Sequence, residues 1–357
     1  MTCYNPKFAE ITYYPEFQNG KFIKSKGNVR FIRKTEAQID DITLRENITV
    51  IPCGQCIGCQ LDKANDWATR CLIEKQQWKN NCFITLTYND DNIPTKITTK
   101  IRKKHNLIKS DLQKFMKKLR KKHQGIEPRT YKGKEEYPIR YFCSGEYGDL
   151  EDRPHFHLGI FNWRPNDLKL WKIIKTKFGT TYPIYLSEEI AKIWGKGFIT
   201  VEDMTYETAC YIARYIQKKA FGKNARHWTN QGLNPEFTEV SRRGGIGLNI
   251  IDNETKWEEI KRNYGIWVKT TGSTNARLKK IPAGINKKWK ERNEIEYYIA
   301  KSERNENLKN ELKKTIEESG MTAKQIRDIK LKTLLEKTKQ LRLCAEPQKK
   351  ETKEPLS

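Results

Sequence analysis

Between positions 139 and 161 the chain alternates apolar and polar residues in two short stretches separated by a polar turn. Ile139 to Gly145 reads as one strand, Glu146-Tyr147-Gly148 closes it, and Asp149–Arg153 forms the connecting loop. The second strand starts at Pro154, a residue suited to a strand's first position because it cannot donate a ladder hydrogen bond. Alternation then sends Phe156, Leu158 and Ile160 to one face and His155 and His157 to the other. The pattern predicts a hairpin that returns Glu146 to the side of the two histidines.

The same reading extends along the chain. Residues 1–50 carry short aromatic and β-branched runs, such as Ile11-Thr12-Tyr13-Tyr14 and Val29-Arg30-Phe31-Ile32, which predict a small β region. Cys82–Tyr88 is a strongly β run ended by Asn89-Asp90-Asp91-Asn92, and Phe198–Val201 is a shorter one. Helical spacing appears over Leu61–Trp78, with Ala64, Trp67, Ala68, Cys71 and Leu72 on one face. Ser110-Asp111-Leu112-Gln113 has the form of a capping box, opening a helix whose core face is Leu112, Phe115, Met116 and Leu119. Trp163–Trp194 reads as helical or mixed. Thr205 is placed to cap a helix from Tyr206 to Lys219, with Ala209, Ile212, Ala213 and Ile216 as its core stripe. From Asn286 the chain is highly charged and helix-forming. Gly320 ends one helix, Thr322-Ala323-Lys324-Gln325 caps another, and the tail after Glu346 reads as disordered. No internal repeat is visible.

Charge narrows the class of partner. The 357 residues carry a net charge of +25, with a pI near 9.5 and a mean hydropathy of −0.84. An excess of this size points to a polyanion: nucleic acid first, an anionic membrane surface second. No apolar run is long enough for a transmembrane helix, and Met1–Pro6 has no apolar core of a signal peptide, so a cytoplasmic setting is expected. There, nine cysteines read as metal ligands or core thiols rather than disulfides. The abundance of Lys, Ile and Asn is consistent with an AT-rich genome.

Three groups of residues carry candidate chemistry. Cys53, Cys56 and Cys59 are spaced C-x2-C-x2-C on a glycine-bearing loop, as metal ligands are; Cys71 and Cys3 are the candidates for the fourth thiolate of a zinc site, an iron–sulfur cluster being the alternative. His155, His157 and Glu146 can hold one divalent cation. Tyr211 and Tyr215 stand one helical turn apart, beside Arg214 and Lys218. Two basic features could meet phosphate: the one-sign helix face of Lys114, Lys117, Lys118, Lys121 and Lys122, and the glycine-rich loop Ser241-Arg242-Arg243-Gly244-Gly245-Ile246-Gly247.

The order of these signals resembles the HUH endonucleases that start rolling-circle replication, whose signature is His-hydrophobic-His followed by a helix bearing one or two tyrosines. It is most similar to the initiators of the gokushovirus branch of the microviruses, small circular single-stranded DNA phages. Cys53–Cys59, Gly145–Gly148, Arg153–His157, Tyr211–Ile216 and Ser241–Gly244 match that family's runs in consistent order. One position departs: Arg214 stands between the tyrosines where the family usually has Lys, which leaves open whether Arg214 or Lys218 acts on the scissile phosphate.

The resemblance implies an α+β fold, an antiparallel HUH-type sheet backed by helices, with an N-terminal Cys-rich metal module and a basic helical C-terminal region. The expected organisation is 1–80 for the β region and Cys module, 81–250 for the endonuclease domain, 251–345 for the helical region and 346–357 for the tail. The implied activity is metal-dependent origin nicking through a 5′-phosphotyrosine, release of a 3′-OH primer, and rejoining of the displaced strand into a circle. Mg²⁺ or Mn²⁺ would serve the histidine site and Zn²⁺ the cysteines. Viral origin DNA, a host polymerase and a host helicase would be the partners, in the host bacterial cytoplasm and with no membrane. The alternatives are a plasmid initiator or relaxase of the same fold, and a non-enzymatic zinc-bearing nucleic-acid-binding protein.

Overall fold

The computed structural model describes residues 3, 6–18, 21–32, 48–54, 56–148, 152–175, 181–220, 227–269 and 275–343. The chain divides into two compact units, one of residues 1–62 with 301–357 and the other of 63–300.

In the first unit, β1 (Lys7–Gln18) pairs antiparallel with β2 (Lys21–Ile32) and β3 (Ile48–Ile51), as the aromatic and β-branched runs predict. Helix α1 (Ile57–Lys75) begins four residues before the expected start at Leu61 and runs on into the second unit.

The second unit is built on a seven-stranded sheet. Its strands are β4 (Asn81–Tyr88), β9 (Arg140–Tyr147), β10 (Pro154–Phe161), β11 (Lys169–Lys175), β12 (Thr181–Leu186), β13 (Gly197–Glu202) and β14 (Phe237–Val240). They lie in the order β11-β12-β13-β4-β10-β9-β14, every neighbouring pair antiparallel. Two short hairpins, β5 (Thr95–Ile97) with β6 (Lys103–His105) and β7 (Arg129–Tyr131) with β8 (Lys134–Glu136), stand off the sheet. The fold is therefore α+β, with one large antiparallel sheet.

Each sheet face carries its own helices. Residues Cys82, Ile84, Leu86 and Tyr88 of β4 and Phe156, Leu158 and Ile160 of β10 pack with Leu112, Phe115, Met116 and Leu119 of α2 (Lys109–Lys122). Ile190, Ile193 and Trp194 of α3 (Glu188–Trp194) join the same core. The opposite face, through Phe83, Phe142 and Phe161, packs with α1 and with Ala209, Ile212 and Ala213 of α4 (Tyr206–Ala220). Thr205 and Thr208 exchange hydrogen bonds at the start of α4, which is the expected cap.

The chain beyond 250 continues into this second core. Trp257 and Ile260 of α5 (Glu254–Asn263), Ile266 and Val268 of β15 (Gly265–Lys269), and Ile285 and Trp289 of α6 (Ala283–Arg292) are buried there. β15 pairs with β16 (Ala276–Lys280). The division expected near residue 250 thus falls inside one packed unit. α7 (Glu294–Ser319) is followed by Gly320, whose left-handed φ of 63° ends the helix. Thr322 and Gln325 form a reciprocal cap on α8 (Ala323–Leu343). The tail after Glu346 lies outside the described residues.

Two local expectations are corrected. The capping box at Ser110 is not formed: α2 starts at Lys109 with Ile108 at its N-cap and no side-chain cap. The Asp111 carboxylate is drawn instead to the buried Tyr88 hydroxyl, 2.9 Å away. Within Trp163–Trp194, the stretch Lys169–Lys175 is an edge strand paired with β12, not a helix. Its apolar positions Leu170, Trp171, Ile173 and Ile174 do not alternate, and a register shift between Leu170 and Lys172 absorbs the mismatch.

Candidate active site

Register brings the site together. Glu146 of β9 stands opposite His155 of β10, and His157 stands opposite Thr85 of β4. Opposed residues on antiparallel strands share a face, so Glu146, His155, His157, Thr85 and Thr87 line the side of the sheet that α4 covers in part. Glu146 Oε1 lies 2.7 Å from Nε2 of His155 and 2.7 Å from Nε2 of His157. One ligand atom from each of the three residues falls within 4.8 Å of the others.

Hydrogen bonds behind the rings set which nitrogen faces the centre. His155 Nδ1 donates to the Arg153 carbonyl at 3.0 Å, which leaves Nε2 as the ligating atom of the neutral ring. His157 Nδ1 lies 3.0 Å from the Thr85 hydroxyl. The Phe83 ring stacks on His157 with centroids 5.6 Å apart.

Burial works against the charge on Glu146, but hydrogen bonds and charge from both histidines outweigh it and hold the carboxyl below the usual carboxylate range. Burial lowers the His155 pKa while the Glu146 hydrogen bond and charge raise it, and the net shift is upward. His157 is buried deeper, and there burial prevails over the same carboxylate and holds the ring below its ordinary value.

Two imidazole nitrogens and one carboxylate suit a divalent first-row cation, and the residues present fit one. Glu146 Oε2 is buried without a hydrogen-bond partner among the described residues. An orphaned carboxylate oxygen costs about 1–3 kcal/mol or more, which a bound cation would recover.

Helix α4 presents Tyr211 to this centre. Ala209, Ile212 and Ala213 seat the helix on the sheet. Gly159, two residues beyond His157 on the same face, lets it approach: a Cβ there would meet Met204 Cε at 3.0 Å and Ile212 Cδ1 at 3.5 Å. The Tyr211 ring stands edge-on to His157, with centroids 4.8 Å apart, and is about one third exposed. The helical backbone continues through Arg214, Tyr215 and Lys218, whose side chains lie outside the described residues.

The other expected site residues are placed elsewhere. Lys114, Lys117, Lys118, Lys121 and Lys122 are exposed on α2, which packs on the sheet face opposite the Glu146–His155–His157 centre. Arg242 and Arg243 are exposed at the other end of β9. There the buried Arg140 donates to the carbonyls of Arg243, at 2.5 Å, and Gly245, at 2.6 Å, and Arg70 donates to that of Ile246. Glu74 pairs with Arg140 and accepts from the Gly247 amide at 2.7 Å. The glycine loop therefore turns backbone carbonyls toward buried arginines and is not a cradle of amides for phosphate. Arg140 is six residues from Glu146, about 20 Å along the strand.

The cysteines form a second cluster, within the first unit. Cys3, Cys53, Cys56 and Cys59 place their sulfurs within 4.8 Å of one another. Cys53–Cys59 is 4.0 Å and Cys3–Cys56 3.9 Å, far beyond disulfide length. Backbone amides of Cys53 and Cys56 donate to the sulfurs of Cys3 and Cys53. Burial, then the hydrogen bond with Cys3, pushes the Cys59 thiol well up. Of the two candidates for a fourth ligand, Cys3 is in the cluster. Cys71 lies fully buried in the apolar core of the second unit.

Thr85 and Phe83 are site residues that the sequence reading missed. Alternation within Cys82–Tyr88 puts Phe83, Thr85 and Thr87 on one face, but only the register with β10 shows which ring each one meets.

A family model described as replication-associated protein ORF2 matches residues 81–220, the span from β4 through α4 that carries the centre and Tyr211. The replication-associated protein ORF2 of Spiroplasma virus 4 is 30% identical over 303 residues, covering 84% of this chain and 82% of that protein. The replication-associated protein VP4 of Bdellovibrio phage phiMH2K is 37% identical over 224 residues, 62% of this chain and 63% of that protein. The replication-associated protein ORF4 of Chlamydia phage 1 is 28% identical over 173 residues, 47% of this chain and 38% of that protein. The match thus spans less than two thirds of the latter two. No solved structure matches the chain. The chain belongs to the replication-associated proteins of these small phages. Among the described residues no helix is long and apolar enough to cross a membrane.

Proposed function

We propose that the chain is the enzyme that nicks and rejoins phage origin DNA in rolling-circle replication. The observation that carries this reading is the edge-on placement of Tyr211 at 4.8 Å from His157, inside a centre of two histidines and one buried carboxylate. Glu146, His155 and His157 would hold Mg²⁺ or Mn²⁺, which when bound supplies Lewis-acid polarisation of a phosphodiester. Tyr211, or Tyr215 one turn further along the helix, attacks phosphorus through its hydroxyl oxygen. The bond to the 3′-oxygen breaks, leaving a 5′-phosphotyrosine and a free 3′-OH. The phenol loses a proton and the departing oxygen gains one. A phenol of ordinary pKa near 10 needs cationic surroundings to ionise, and Arg214 and Lys218 share its helix. The 3′-OH is a primer for a host polymerase working with a host helicase in the bacterial cytoplasm. Because the covalent bond conserves the phosphodiester, reversal by the same residue pair rejoins the displaced unit as a circle.

The four cysteines fit a structural Zn²⁺. Sulfurs about 3.9–4.0 Å apart match the edges of a tetrahedron with Zn–S near 2.3 Å. Two of them receive backbone amide hydrogen bonds, as thiolates do.

The test is direct. The protein is mixed with single-stranded oligonucleotides tiled across the phage genome, Mn²⁺ is added, and the products are run on a denaturing gel. A covalent protein–DNA adduct on one oligonucleotide supports the reading. Binding without an adduct on any of them points to a non-enzymatic DNA-binding protein.

A further inference from the structure

Strand register extends the row of the metal centre beyond the residues described so far. Glu146 on β9 is opposed by His155 on β10, His155 by Thr87 on β4, and Thr87 by Phe198 on β13. The next row reads Ser144, His157, Thr85, Thr200. All these side chains lie on one face. α4 covers that face at its Phe83 and Gly159 end. At the other end Thr85, Thr87 and Thr200 are only partly buried, and Phe198 is 68% exposed. Its strand neighbours behave differently: Ile199 and Val201 point to the opposite face and are buried. The exposed phenyl group is therefore not a residue the core failed to absorb. It stands on the outward row, in register with the proposed metal ligands.

We infer that Phe198 is a stacking platform for a base of the single-stranded DNA substrate, close to the scissile phosphate. Two strand spacings separate it from His155, about 10 Å, within reach of a neighbouring nucleotide. Aromatic faces bind bases of any identity, and the chain's net charge of +25 favours a polyanionic occupant over an apolar protein segment. Thr87 and Thr200, beside the ring, offer hydroxyls to a backbone. The inference rests on the reading of the centre as a DNA-nicking site, and it adds where the substrate strand lies: across β10, β4 and β13.

The experiment uses the full chain in EDTA, so that binding is read without cleavage. A labelled oligothymidylate is titrated by fluorescence anisotropy, and an oligothymidylate carrying 5-iodouracil is photocrosslinked and mapped by mass spectrometry. The parent should crosslink at Phe198. Phe198→Ala and Phe198→Leu should bind on the order of tenfold more weakly, the loss of one stacked base, and Phe198→Trp should bind at least as well as the parent. Because the ring is exposed, the melting temperature should not move. Equal binding by parent, Ala and Leu variants, or crosslinks confined to other residues, would overturn the platform even if the parent forms a tyrosine adduct with Mn²⁺. Crosslinking at Phe198 in a protein that forms no adduct would keep the platform and discard the nuclease reading instead.

Discussion

Glu146 and His155 face each other across β9 and β10, with Glu146 Oε1 2.7 Å from His155 Nε2. The same oxygen lies 2.7 Å from His157 Nε2. Replacing any one of the three should therefore damage the whole centre. Glu146→Gln, His155→Ala and His157→Ala should each lose Mn²⁺ binding in calorimetric titration and lose covalent adduct formation. Binding of single-stranded DNA should persist, because basic surface supplies most of that affinity. Excess chelator should act on the parent as these substitutions do. Adduct formation undiminished in chelator would refute the assignment.

Thr85 should tune the same site from behind. Its hydroxyl lies 3.0 Å from His157 Nδ1 and fixes the ring that Glu146 approaches from the other side. Thr85→Val keeps the shape and removes the hydroxyl, and should weaken Mn²⁺ binding about 10–100-fold. Thr85→Ser should restore it. Equal affinities for Val and Ser would reduce Thr85 to a packing residue.

How much of this is legible in the sequence follows from the range of each contact. His155, His157 and Glu146 are separated by one turn, so alternation alone places them together. The Ala209, Ile212, Ala213 stripe likewise follows from local helical spacing and seats α4. Thr85 and Phe198 show nothing locally, because their places depend on cross-strand register. Cys3 joins the cysteine cluster across 50 residues, which no spacing rule reaches. The glycine loop at 241–247 looks like a phosphate cradle until Arg140, about a hundred residues earlier, is seen to take its carbonyls. Lys114, Lys117, Lys118 and Lys121 are exposed as a polar stripe must be, but the stripe does not show which side of the sheet its helix covers.

The cysteine cluster yields a prediction independent of DNA. Purified protein should carry close to one zinc per chain after chelation has removed the catalytic ion. Cys56→Ser and Cys3→Ser should lose that zinc, since each removes one corner of the cluster. Cys71→Ser, in the apolar core, should retain it. Retention by Cys3→Ser with loss by Cys71→Ser would reverse the ligand assignment.

Arg140 and Glu74 are both nearly inaccessible and hold the 241–247 loop between them. Arg140→Met leaves the Glu74 carboxylate buried without its main partner, which costs about 3–5 kcal/mol. The variant should melt markedly lower in a thermal scan. Arg140→Met combined with Glu74→Leu should recover part of the loss, since neither charge then remains uncompensated. A double variant no more stable than the single one would show that the loop contacts, rather than the pair, dominate.

The nucleophile is the sharpest claim. Tyr211 packs edge-on to both His157 and Phe83, with ring centroids at 4.8 and 6.4 Å. Those contacts belong to the ring, so Tyr211→Phe removes the hydroxyl oxygen and leaves the packing, and any loss is chemical. Tyr215, four residues on, occupies the next turn of the same helix. Each single Tyr→Phe variant should keep some cleavage or show a partial defect in rejoining, because the remaining hydroxyl can still attack. The double variant should form no adduct and still bind single-stranded DNA with near-parental affinity. Tyr147 is the internal control: its hydroxyl is committed to the Leu107 amide and the Asn234 carbonyl at 3.0 and 2.8 Å, and burial pushes its pKa up to about 12. Peptide mapping of the DNA-linked fragment should find the phosphate on Tyr211 or Tyr215. An adduct formed by the double variant, or one mapped to Tyr147, would move the nucleophile off α4.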